Sequence, residues 1–146
     1  MSRRKKKSAP RSAKQFVLSP NSARAVTIAM YDYHLAEENG KHGLVGLFDT
    51  LVAKQFPARF VFYLFVKLAG PPGAHVARVQ LRERTSGRRI LDPLAFSFQI
   101  PAQPVAYHDL ITQINFDFPG PGVLEWQVYV DNLLGGSYAF QIVPAQ

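Results

Sequence analysis

The sequence contains no cysteine, and this excludes several classes of protein and site at once. Without thiols the chain can form no disulfide framework, no thiolate zinc site and no cysteine nucleophile. It also lacks any run of about 18 apolar residues, the length that predicts a membrane-spanning helix. The basic N-terminus is followed by polar residues rather than by the apolar segment of a signal peptide. We therefore expect a cytoplasmic protein with no membrane association.

Patterns that mark catalytic and metal sites are missing as well. The four histidines, His34, His42, His75 and His108, do not show the spacing of metal ligands. Neither a Gly-x-Ser-x-Gly nucleophile motif nor a glycine-rich phosphate loop is present. The sequence therefore predicts no metal, no cofactor and no enzymatic activity.

A ligand pocket is the alternative that the remaining polar residues leave open, at Asp32, His34 and Asp49. Asp32 and His34 would share one face of a strand, where a carboxylate from the partner strand could orient the imidazole. Further candidates are His42, His108 and Asp109. Polar residues at strand ends more often form solvated edges or cap turns, so a structural role is favoured. Asp49, which interrupts an apolar strand, is expected to accept backbone hydrogen bonds near a bulge or bend.

The positive charge of the chain is concentrated at its N-terminus. Residues 1–14 contain seven basic residues and no acid: Arg3, Arg4, Lys5, Lys6, Lys7, Arg11 and Lys14. The other ten Lys and Arg, of 17 in all, equal the ten Asp and Glu, so the net charge of +7 belongs to the tail. We expect this tail, residues 1–22, to be disordered, because it has too few apolar residues to offset its ordering entropy.

A second group of basic residues lies within the fourth predicted strand, His75–Arg84. Apolar and polar residues alternate there, which places Arg78, Arg82 and Arg84 together on the outer face. Because clustered cations bind phosphates, the tail and these arginines are candidate nucleic-acid or polyanion-binding residues. A solubilising tail and a charged strand that prevents aggregation are the alternatives.

The body of the chain has a period of two, interrupted by turns rich in Gly and Pro. Eight strands are predicted, at about residues 24–34, 43–53, 60–68, 75–84, 94–100, 107–118, 124–130 and 138–142. No helix-length crossover separates them, which favours an antiparallel β-sandwich over residues 23–146. Asn39-Gly40 predicts a type I′ turn in the first hairpin, and Leu133–Gly136 is the last predicted turn.

Aromatic residues suggest both a core and a binding face. Most of the 11 phenylalanines fall on predicted inner faces. Tyrosines on an outer face could stack bases or sugars; the candidates are Tyr31, Tyr33, Tyr63, Tyr107 and Tyr129.

Several segments together resemble an uncharacterised family of small bacterial domains of unknown function. The resemblance rests on Ile28-Ala29-Met30-Tyr31-Asp32, Gly40-Lys41, Gly43–Asp49, Phe56-Pro57-Ala58 and Phe60–Leu68, and extends over about residues 24–143. It implies a β-sandwich and brings no known activity. The basic tail and the arginine-rich turn Arg82–Arg89 depart from the family pattern, so both could be specific to this chain.

These features favour a non-enzymatic interaction module. Its tail would contact RNA, DNA or a nucleoprotein assembly, and its sheet edges would bind a protein partner or a second copy of the chain. Two alternatives stay open. One is a sandwich that binds a small molecule or carbohydrate near Asp32, His34 and Asp49; the other is a structural subunit of a phage or defence assembly.

Overall fold

Alternating apolar and polar residues produce an all-β structure in the computed structural model, which describes residues 22–146. This part of the chain forms nine strands: β1 (Arg24–Ala36), β2 (His42–Phe48), β3 (Thr50–Ala53), β4 (Ala58–Ala69), β5 (Gly73–Glu83), β6 (Arg89–Ile100), β7 (Tyr107–Phe118), β8 (Gly122–Val130) and β9 (Leu133–Pro144). The strands of residues 22–146 form two sheets, in the orders β2-β1-β4-β7 and β3-β9-β8-β5-β6. The predicted β-sandwich is confirmed. No helix in this range is long and apolar enough to cross a membrane.

The chain passes from one sheet to the other at Asp49. A single strand over residues 43–53 was the wrong prediction, because β2 ends at Phe48, Asp49 is a bend, and β3 belongs to the five-stranded sheet. β3 pairs with β9 in parallel, with Thr50 opposite Gln141, and this pair is an exception to the predicted antiparallel arrangement. The other strand pairs within residues 22–146 are antiparallel.

Two hairpin turns also differ from the predictions. In the β1–β2 turn Gly40 has a φ of 78°, but Asn39 does not have the positive φ of a type I′ turn. That geometry occurs instead between β8 and β9, where Asp131 and Asn132 have φ values of 49° and 67°. Residues 133–136, predicted as the last turn, therefore belong to β9.

The core lies between the two sheets and consists of alternate residues from each strand. On β5, Ala77, Val79 and Leu81 are fully buried, as their alternation with polar residues predicts. Trp126 of β8 donates its Nε1–H to the sulfur of Met30 on β1, 3.3 Å away, and so links the two sheets. Each large apolar side chain buried in this way contributes about 1.5–3 kcal/mol. The packed core thereby holds the outward-facing residues in defined positions.

The β1–β2 hairpin covers part of the outer face of the four-stranded sheet. Within residues 22–146, β1 pairs with β4 as far as Tyr31 opposite Tyr63, whereas β1 and β2 continue to pair as far as Ala36 and His42. Tyr31 and Phe65 are consequently buried, at 0% and 5% exposure, on a surface that solvent would otherwise reach. The stacking role considered for Tyr31 is therefore excluded.

Candidate functional site

Arg78 and Arg82 lie on the outer face of β5, opposite its buried apolar residues, and Arg84 is the first residue after the strand. Arg78 and Arg84 are exposed, whereas Arg82 is half-buried. Arg82 donates to the side-chain oxygen of Gln80 at 3.2 and 3.1 Å and to the Gly87 carbonyl at 2.8 Å. Arg82 therefore stabilises the β5–β6 turn, and of the three arginines Arg78 and Arg84 are the most available to a ligand.

Each exposed arginine has a different neighbour on β8. The Arg84 Nε lies 3.7 Å from Glu125 Oε2, and the Arg84 side chain is 62% exposed. An ion pair this exposed is weak, so a phosphate can compete for the guanidinium. Arg78 lies over the Tyr129 ring, 5.3 Å from the ring centroid, because the two residues are direct cross-strand partners. An arginine plane beside an aromatic ring is a surface on which unpaired bases stack.

The basic tail lies outside the described residues. Its seven cations are Arg3, Arg4, Lys5, Lys6, Lys7, Arg11 and Lys14. Their contribution to the net charge of the chain follows from the sequence. The charges of residues 22–146 cancel overall, so a local excess in this part of the chain depends on how the arginines are grouped.

Asp32, His34 and Asp49 lie in different surroundings. The exposed carboxylate of Asp32 lies over Gly46, where an added Cβ would come within 2.6 Å of Oδ2. Asp49 is exposed at the bend between β2 and β3, where the Thr50 hydroxyl donates to it at 3.2 Å. Asp49 therefore lies at a bend as expected, but its hydrogen-bond donor is a side-chain hydroxyl rather than the expected backbone N–H. Neither of the two cavities that Asp49 lines includes Asp32 or His34.

His34 belongs instead to a polar cluster with His42. In the strand pairing His34 is opposite Leu44 and His42 is opposite Ala36, so the two histidines are diagonal neighbours. Their ring centroids are 5.1 Å apart, and Nε2 of His34 is 3.2 Å from Nδ1 of His42. Sequence spacing could not reveal this contact, because it depends on the register of the hairpin and on the positions of two rings.

The second nitrogen of each ring also has a polar neighbour. Nδ1 of His34 lies 2.7 Å from the Tyr31 hydroxyl, and Nε2 of His42 lies 3.7 Å from Oδ2 of Asp109 on β7. Lys67 donates to Oδ1 of the same Asp109 at 2.7 Å. Burial raises the pKa of Tyr31, so its hydroxyl stays protonated and can donate to His34. His34 Nε2–H then donates to His42 Nδ1, which leaves His42 Nε2–H facing Asp109.

These five residues, Tyr31, His34, His42, Lys67 and Asp109, are called the histidine cluster below. They come from β1, β2, β4 and β7, and they meet because the hairpin covers the sheet. Within residues 22–146, no group of three or more His, Asp or Glu side chains is arranged to hold a metal ion.

A second imidazole–carboxylate pair joins β5 to the β8–β9 turn. His75 is 8% exposed, with Nδ1 2.6 Å from Asp131 Oδ2 and Nε2 2.7 Å from the Pro71 carbonyl. Both partners are acceptors, so the protonated ring satisfies both contacts, and the hydrogen bond with Asp131 is the main cause of a raised His75 pKa. Burial raises the pKa of Asp131, but the hydrogen bonds that its carboxylate accepts from His75 and the Val76 amide lower the pKa by more. The net shift of the Asp131 pKa is therefore downward.

The unpaired edges of β6 and β7 border a groove of about 620 Å³. In the described part of the chain, β6 pairs with β5 alone and β7 with β4 alone. Pro93 and Asp92 interrupt the β6 edge, and register shifts disturb its pairing with β5. The β7 edge contains no proline, so it is the better template for an added strand.

Comparison with known proteins identifies a family but no activity. No curated protein matches the chain. Among solved structures, the chain is similar to the Pseudomonas fluorescens alkylpurine DNA glycosylase AlkC bound to DNA containing an abasic site analog. That match has 12% identity and a TM-score of 0.38, and it covers 79% of this chain and 30% of the glycosylase chain. A family profile matches residues 28–143 and confirms the resemblance to an uncharacterised domain family: the chain belongs to DUF6941, a family of unknown function.

Proposed function

We propose that this chain is a non-enzymatic binding module that contacts RNA, DNA or a nucleoprotein assembly through two basic segments, the tail and the outer face of β5. The observation that carries the proposal is the exposure of two arginines, Arg78 beside the ring of Tyr129 and Arg84 near Glu125, on a body whose charges cancel overall. A cytoplasmic location, where such polyanions are found, is part of the same proposal.

The two segments would contribute in different ways. The tail supplies seven charges that neutralise phosphates without sequence preference, and each contact adds about 0.9 to the salt slope on duplex DNA. Arg78 and Arg84 supply two more charges in fixed positions. Tyr129 adds an aromatic ring, and stacking of one base on such a ring contributes about 1–3 kcal/mol. Single-stranded RNA or DNA uses all three contributions, so it is the polyanion that fits this surface best.

A protein partner or a second copy of the chain would bind at the strand edges. The free edge of β7 runs over 12 residues, from Tyr107 to Phe118, next to the groove between β6 and β7. An extended segment added there would gain main-chain hydrogen bonds, and side chains of that segment could enter the groove.

The arginine face is tested by measuring the salt dependence of binding to mixed-sequence single-stranded RNA. Arg78→Ala and Arg84→Ala should each reduce the slope of log affinity against log salt concentration by about 1. Arg59→Ala is the matched control, because it removes the same charge from the other sheet, where Arg59 is paired with Asp117 at 2.8 Å. Equal effects of all three substitutions would show that only net charge matters and would contradict the proposed face.

A further inference from the structure

The two histidines of the histidine cluster face each other through ring nitrogens at the rim of the β1–β2 hairpin. The distance between His34 Nε2 and His42 Nδ1 is 3.2 Å, and the His42 side chain is 29% exposed. We infer that this pair binds one divalent transition-metal ion, such as Zn²⁺, Ni²⁺ or Cu²⁺, between the two facing nitrogens, with water completing the coordination.

The distance between the two nitrogens matches the distance between two imidazole ligands of one metal ion. Imidazole nitrogens bind Zn²⁺ at about 2.0–2.1 Å, and two such ligands at a tetrahedral angle are about 3.3 Å apart. The observed 3.2 Å is within 0.2 Å of that separation. The ion would replace the single hydrogen bond that now joins the rings.

The second nitrogen of each ring faces an oxygen, as in metal sites: His34 Nδ1 is within hydrogen-bond distance of one, and His42 Nε2 lies 3.7 Å from a carboxylate. Histidine ligands usually donate their second N–H to a carboxylate, a carbonyl or another oxygen, and this contact fixes the ring orientation. His42 Nε2 faces Asp109, which Lys67 holds in place at 2.7 Å. His34 Nδ1 faces the Tyr31 hydroxyl at 2.7 Å. On metal binding His34 would change tautomer, so that Nδ1–H donates to the Tyr31 oxygen and Nε2 is free for the ion.

Two protein ligands set the character of the site. Water would occupy the remaining positions, so the ion would exchange readily, and affinity should follow the general order in which Cu²⁺ exceeds Ni²⁺ and Zn²⁺. The other two histidines are differently placed. Both nitrogens of His75 are engaged by Asp131 and Pro71, and His108 packs against the Phe98 ring at 5.2 Å.

The test is a titration of the full chain, free of any affinity tag, with ZnSO₄, NiCl₂ or CuSO₄ at neutral pH. Calorimetry should show one saturable site per chain, and the metal should raise the thermal midpoint by mass action. His42→Ala should lower the affinity at least tenfold, and Asp109→Asn should lower it by about 10-fold or more while the stoichiometry stays at one. His108→Ala is the control and should bind as the unmodified chain does.

NMR signals of the histidine rings in the unmodified chain provide a second test, which does not depend on whether a substituted variant folds. Ni²⁺ or Cu²⁺ should broaden the His34 and His42 signals first, and those of His75 and His108 only at higher concentration. Absence of saturable binding up to millimolar metal would overturn the inference. So would a His42→Ala variant, folded by circular dichroism, that binds as tightly as the unmodified chain.

Discussion

Replacing Asp131 with Asn should make the stability of the sandwich less dependent on pH between pH 5 and pH 9. The carboxylate contacts His75 at 2.6 Å and accepts the Val76 amide at 3.0 Å. Asn retains one side-chain oxygen for the Val76 amide and tolerates the φ of 49° at this position. The substitution therefore removes the negative charge with little other change.

The expected change in the free energy of unfolding follows from the type of hydrogen bond that is lost and from the exposure of Asp131. A hydrogen bond to a charged group contributes about 1.5–3 kcal/mol, and the lower end applies here because the Asp131 side chain is 47% exposed. We expect Asp131→Asn to lower the free energy of unfolding by about 1.5 kcal/mol at pH 5.

The sign of the pH dependence follows from the two pKa shifts. The pKa of His75 is raised in the folded chain. Its contribution to the free energy of unfolding is therefore complete below the unfolded-state pKa of about 6.5, and is lost as the pH rises through the folded-state pKa. The Asp131 pKa is lowered, so its contribution persists until pH falls through that lowered value. The difference between the unmodified chain and Asp131→Asn should be largest near pH 5 and small at pH 9.

Urea unfolding of both proteins at pH 5, 7 and 9 measures this difference. Asp117→Asn is the control, because Asp117 pairs with Arg59 across side chains that are 53% and 60% exposed. Because this pair is exposed to solvent, its loss should cost less than Asp131→Asn costs at pH 5. A difference for Asp131→Asn that stays constant or grows toward pH 9 would refute the assigned role of His75.

Two further predictions concern the hairpin and the aromatic surface. Gly46→Ala should destabilise the fold by about 1 kcal/mol more than Gly87→Ala in urea unfolding. Both glycines have positive φ, at 76° and 72°, but only at Gly46 would the new Cβ meet Asp32; equal costs would contradict the close contact. Tyr129→Leu should weaken binding to single-stranded RNA about tenfold in fluorescence titrations and leave duplex DNA binding nearly unchanged. Tyr33→Leu, at a 68% exposed tyrosine of the hairpin, is the control, and an equal loss there would argue against stacking on Tyr129.

The strand pattern was predictable because each strand carries its own period of two. Ala77, Val79 and Leu81 are buried and Arg78 and Arg84 are exposed, as alternation alone predicts. Asp49 itself indicated a bulge or bend, but the change of sheet there was not predictable, since apolar residues resume at Leu51 and neither Gly nor Pro marks the end of a strand.

The polar sites depend on contacts between distant strands, and local patterns carry no information about them. His75 and Asp131 are 56 residues apart in sequence. Tyr31 is buried because the hairpin covers a sheet face, and this coverage also brings His42 toward Asp109. Strand pairings and the path of the hairpin must be known before these contacts can be inferred.

The salt dependence of duplex DNA binding tests the proposed function most directly. The intact chain is compared with a full-length variant in which the seven Lys and Arg of residues 1–14 are changed to Gln. If the tail binds the polyanion, neutralising it should reduce the slope of log affinity against log salt concentration by up to about 6, and the stability of the sandwich should not change. Equal slopes and affinities for the two proteins would contradict the proposal.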